Sequence, residues 1–165
     1  MRVLIALLLL AASMRAQVTE RPVVIETDFN CDGKKDLALS NGSEWGNAGG
    51  DWGIYIRQSD GRFRYAGSAF FHPLAFHIER ADDQTALMTV YQRAGGGDGS
   101  LVTYKITKNS VKQLSSERFR PSENIPDSPN HKRYEEMFSG LREHPLHRLY
   151  TSSEIVVDGQ FATKK

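Results

Sequence analysis

The sequence predicts a mainly β protein, built of antiparallel β-meander units and closed by one C-terminal α-helix. Three observations predict it. Short runs rich in β-branched and aromatic residues recur from residue 21 to residue 116. Clusters of Gly, Asp, Asn and Ser separate them at turn-like spacing. Only one segment, 131–141, carries apolar residues at helical spacing.

The elements follow in order. Residues 1–16 read as a secretory signal peptide, with Arg2 as a positive start, an apolar run over 3–12 and small residues at a cut after Ser13 or Ala16. The run is too short to span a bilayer comfortably, since a helical span needs about 20 residues. Residues 17–165 are then one β-rich domain. "RPVVIE" (21–26), "DLALS" (36–40) and "DWGIYIRQ" (51–58) are strands. "SDG" (59–61) is a hairpin turn, because Asp-Gly accepts the positive φ of a type I′ turn. "RFRYAG" (62–67), "LAFHIER" (74–80), "TALMTVYQ" (85–92), "LVTYKIT" (101–107) and "VKQLSS" (111–116) continue the series, with "GGGDG" (95–99) and "KNS" (108–110) as punctuation.

"RPSENIPDSPN" (120–130) holds three of the six prolines and reads as an ordered loop or lid. In 131–141, Tyr134, Met137, Phe138 and Leu141 fall on one helical face, with Ser128 as N-cap and Pro129 at the first turn. "RLYTSSEIVVDGQF" supplies one or two closing strands. The stretch 70–118 repeats the strand, glycine loop, strand, turn, strand order of 23–67, which makes it a possible degenerate second unit.

Charge is nearly balanced, with 21 Lys+Arg against 20 Asp+Glu. Loss of Arg2 and Arg15 with the signal leaves one more acid than base. No basic excess argues for nucleic acid or an anionic membrane. Cys31 is the single cysteine, so no internal disulfide is available to a chain expected outside the cytoplasm, secreted or periplasmic.

The chemistry concentrates in "TDFNCDGKKDLALS" (27–40). Counting from Asp28, positions 1, 3, 5 and 9 are Asp28, Asn30, Asp32 and Asp36, and position 6 is Gly33. Side chains at 1, 3 and 5 converge if the backbone curls, Lys34 at position 7 offers its carbonyl oxygen, and Gly33 permits the sharp turn. Three close carboxylates repel unless a cation neutralises them or solvent screens them. Oxygen donors of mixed type suit Ca²⁺ better than Zn²⁺ or Mg²⁺. The alternative is an Asp/Asn-rich turn without metal. The pattern departs from an EF-hand at position 12, where Leu39 replaces the bidentate Glu. Asp36, water, or a distant Glu26, Glu44 or Asp51 would have to stand in. Cys31 is expected to point away from the ion.

"DFNCDGKKDLAL", followed by a glycine-rich loop, an aromatic strand and a "DGRF" turn, resembles the FG-GAP or VCBS repeat. Asp28, Asn30, Asp32, Gly33 and Asp36 match that family's calcium motif, and Asp60, Gly61 and Phe63 match its turn. The resemblance covers about residues 23–67. It implies a propeller-blade-like meander holding Ca²⁺; family members often stack several such units.

Other constellations are weaker. His72 and His77, five residues apart, would face opposite sides of a strand, and His144 and His147 flank a Pro-Leu turn. Ser100, Ser139 and Ser152 lack a nucleophile motif, and "GGGDGS" lacks the lysine of a phosphate loop. Trp45, beside a glycine loop, offers a face for a sugar ring. The expectation is a small secreted Ca²⁺-binding module without catalysis, binding an unknown protein or carbohydrate, and not inserted in a membrane after signal cleavage. The alternative is a secreted hydrolase or enzyme inhibitor acting on cell-wall or extracellular polymers.

Overall fold

A computed structural model of the chain describes residues 22–95, 98–120, 148–151, 155–158 and 161–164. The expected signal peptide, the loop over 121–130, the helix over 131–141 with its cap, and His144 and His147 lie outside the described residues. Among the described residues there is no α-helix, and no helix is long and apolar enough to cross a membrane.

Eleven strands are present: β1 (Val23–Thr27), β2 (Asp36–Ser40), β3 (Gly50–Arg57), β4 (Phe63–Phe71), β5 (Phe76–Asp82), β6 (Thr85–Gly95), β7 (Asp98–Thr107), β8 (Ser110–Arg118), β9 (Arg148–Thr151), β10 (Ile155–Asp158) and β11 (Phe161–Lys164). They form two antiparallel sheets. One has seven strands in the order β10-β11-β4-β3-β2-β1-β9, the other four in the order β5-β6-β7-β8. Each contains a four-strand meander, β1–β4 and β5–β8.

Period-two patterning sets the faces. Trp52, Ile54 and Ile56 of β3 and Ala38 of β2 meet Met88, Val90, Val102, Tyr104 and Ile106 in the core between the sheets. Register carries the opposite parity to the other face, where Leu37 pairs with Tyr55 and both join Val24, Leu39, Phe63, Ile155 and Ala162 in a second core. The first sheet is therefore covered on both sides, and all five residues of β2 are buried. That is why "VVI" and "LAL" read as continuous apolar runs instead of alternating ones.

The seven-stranded sheet curls strongly. Lys164 on β11 bonds Glu26 on β1 at 3.0 Å, although β4, β3 and β2 intervene in the sheet. In a flat sheet those four steps would separate the strands by about 19 Å.

Two expected details differ. Gly61 is the only residue of 59–61 at positive φ, at +83°. Its N–H donates to the Gln58 carbonyl at 3.1 Å and the Gln58 N–H donates to the Arg62 carbonyl at 2.8 Å. This is a type I turn closed by a glycine bulge, in place of type I′, because Asp60 keeps a negative φ. Also, His72 follows β4 and His77 lies on β5, so the two histidines do not share a strand.

Candidate metal centre

The acidic segment forms the connection between β1 and β2. Asp28 to Lys35 is loop, and Asp36 is the first residue of β2. Two features hold the loop down. The Phe29 ring is fully buried in the inter-sheet core and stacks on Phe76, centroids 6.2 Å apart. The Cys31 carbonyl accepts a 2.6 Å hydrogen bond from Arg80 Nη2 on β5.

Between these anchors the chain curls. Cys31 adopts φ +58° and Gly33 φ +88°. Glycine tolerates that region freely, whereas a cysteine there costs roughly 1–2 kcal/mol. The Asp32 N–H is shared by Asp28 Oδ1 at 3.0 Å and Asn30 Oδ1 at 3.2 Å. Asp28 Oδ2 accepts the Gly33 N–H at 2.7 Å. Asp32 Oδ1 accepts the Lys34 N–H at 2.9 Å, and Asp32 Oδ2 accepts from Asn30 Nδ2 at 3.3 Å. Side chains from positions 1, 3 and 5 are thus gathered on one patch of backbone. Lys34 is exposed and contributes at most a carbonyl.

Asp36 is placed differently. It is fully buried, with Oδ2 accepting the Phe29 N–H and Oδ1 the Arg57 N–H, each at 2.9 Å. The carboxylate extends the β2–β3 ladder by one rung beyond Leu37 and ties the loop to β3. Burial pushes its pKa up to about 7; the two backbone N–H groups oppose the rise, and Asp32 and Asp28 add to it. The remaining stand-ins are elsewhere. Glu26 bonds Lys164, Glu44 accepts from Asn41 at 3.3 Å, and Asp51 is exposed at the start of β3.

Among the described residues, no three His, Cys, Asp or Glu side chains form a group that could hold a metal ion. What the loop does assemble is two carboxylates, one amide oxygen and curled backbone, a donor set of oxygens only. That chemistry fits a hard cation with flexible coordination. The Cys31 thiol is pushed up in pKa, first by burial and then by Asp28, which disfavours the thiolate that a soft metal would need.

Sequence reasoning missed Phe29 and Arg80. An aromatic at the second position of an acidic loop was a legible signal for the first. Nothing local marks Arg80, which is 49 residues from the carbonyl it binds. Trp45, weighed among the weaker constellations as a sugar-stacking face, does not stand free. Trp45 is half-buried against the inter-sheet core, its ring 5.0 Å from Trp52, and its Nε1 donates to Ser40 Oγ at 2.8 Å. Gly50 leaves room for that ring, since a Cβ there would sit 2.2 Å from the indole.

Two-sheet antiparallel β architecture with an oxygen-rich hairpin loop is the class that fold and site define. No protein-family model, curated protein or solved structure matches the chain.

Proposed function

We propose that the protein is a small secreted or periplasmic β-module stabilised by Ca²⁺, acting by binding or as a structural element and without catalysis. Asp28, Asn30 and Asp32 would supply side-chain oxygens, Lys34 a carbonyl, and Asp36 would support the loop from behind. One observation carries the reading: oxygens of Asp28 and Asn30 converge on a single N–H, with the Asp32 side chain in contact with Asn30. An ion would lower the repulsion between the carboxylates and offset the strain at Cys31. The apolar run over 3–12, read as a secretory leader, would place the chain in a calcium-rich setting.

Such loops span micromolar to millimolar affinity. With free ion at 100 times Kd, binding would stabilise the fold by about 2.7 kcal/mol. The test is thermal melting in excess calcium and in EGTA, for wild type and Asp32→Ala. Calcium should raise the wild-type midpoint and leave the variant nearly unmoved. Equal wild-type midpoints in the two buffers would overturn the assignment.

A further inference from the structure

The curl of the seven-stranded sheet opens at one end into a cleft of about 350 Å³, within the size range of small-molecule sites. Six charged residues line it: Glu26, Lys35, Arg57, Asp60, Arg62 and Lys164. Four are cations and two are carboxylates, whereas the whole chain is nearly balanced, with 21 basic and 20 acidic residues. The carboxylates are engaged. Asp60 pairs with Arg62 at 2.8 Å and Glu26 with Lys164 at 3.0 Å. Lys35 and Arg57 make no ion pair among the described residues.

A solvated charged rim would have the same composition, so geometry must decide. Arg57 is not a free-swinging surface cation. Its guanidinium lies over the Phe63 ring, 5.7 Å from the centroid, and its backbone N–H is held by Asp36. Arg62 is held twice, by Asp60 and over the Phe161 ring at 5.5 Å. The ion pairs fix the walls, and the two uncompensated cations remain. Phe63 and Ala162 give the cleft an apolar side. A guanidinium pre-oriented in this way suits a planar or tetrahedral oxyanion better than a point charge does.

We infer that the mouth of the curled sheet binds a small organic oxyanion, a carboxylate, sulfate or phosphate ester, through Lys35 and Arg57. The inference does not depend on the calcium reading, since none of Asp28, Asn30, Asp32, Lys34 and Asp36 lines the cleft.

The full chain would be titrated by calorimetry with glucuronate, glucose 6-phosphate and inorganic sulfate at constant ionic strength. Saturable binding of at least one organic oxyanion, tighter than sulfate, is expected. Arg57→Gln and Lys35→Gln should each weaken it tenfold or more, while Lys112→Gln on β8 should not. Both target side chains are exposed, so melting midpoints should stay near wild type and separate lost binding from lost folding. Absence of saturable binding by all three ligands would overturn the inference. So would equal weakening by Lys112→Gln, which would mark a general charge effect.

Discussion

The two meanders solve the same problem in different ways at their first hairpin. In the second, β5 and β6 are joined by two residues, Asp83 and Gln84, with the Gln84 N–H capped by Asp82 at 2.9 Å. In the first, eight residues, 28–35, join β1 and β2. Antiparallel pairing starts at Thr27↔Asp36 in the first and at Asp82↔Thr85 in the second, where a bulge between Arg80 and Asp82 shifts the register. A two-residue link therefore suffices topologically. The longer loop carries a strained cysteine, three acidic or amide side chains turned onto backbone, and an aromatic plug. Its length is explained by what it gathers, because chain reversal alone does not require it. The two hairpins also touch, since Arg80 of the second bonds the Cys31 carbonyl of the first.

Breaking this contrast starts with the plug. Phe29→Ala removes a fully buried ring from the core and should cost about 3–5 kcal/mol in urea unfolding. A cost below about 1 kcal/mol would mean that the loop is a passive connection.

Next comes pH. The folded pKa of Asp36, raised to about 7, lies above the ordinary aspartate value of about 3.9. Between those values the folded state keeps a proton that the unfolded state has lost. The slope of unfolding free energy against pH is then negative. In calcium-free buffer, Asp36's contribution is fully present below about pH 4 and is lost as pH rises toward 7, on the order of a few kcal/mol. Denaturant midpoints that stay flat or rise across that window in calcium-free buffer would contradict a buried, proton-retaining Asp36.

Asp36→Asn isolates the same group. An amide turns a donor toward one of two backbone N–H groups, leaving it unsatisfied at about 1–3 kcal/mol. It should also flatten the pH slope, and unchanged stability at pH 7 would show that the carboxylate is dispensable. The smallest effect belongs to the tie between hairpins. Arg80→Gln should cost about 0.5–1.5 kcal/mol and lower the calcium response only slightly. A complete loss of that response would instead make Arg80 essential to loop closure.

Legibility follows the range of the forces involved. "DLALS" was readable with its observed bounds because both faces of β2 are apolar and Asp and Ser mark its ends. The oxygens at 28, 30 and 32 were readable because their spacing is local. Asp36 was readable as acidic, but not as a rung of the β2–β3 ladder, since its partner Arg57 is 21 residues away. Trp45 looked like a free surface because nothing in its neighbourhood announces that Gly50 receives the indole. "GGGDG" read as a gap, yet β6 runs to Gly95 and β7 begins at Asp98. Glycine weakens a strand without forbidding it, and the Tyr91 ring packs where a side chain on Gly99 would be. The C-terminal stretch was readable as one or two closing strands, but not as the three that lie on both flanks of the N-terminal meander.

That last arrangement has a consequence for biogenesis. β9 pairs with β1 on one flank, and β11 pairs with β4 on the other. Both flanking strands are made after β1–β4, so the early meander waits with two open hydrogen-bonding margins. Such margins template misassembly when chains meet. Maturation of this protein is consequently a race between late clasping by β9 and β11 and capture by a neighbour, and crowding before those strands are made should be where the race is lost.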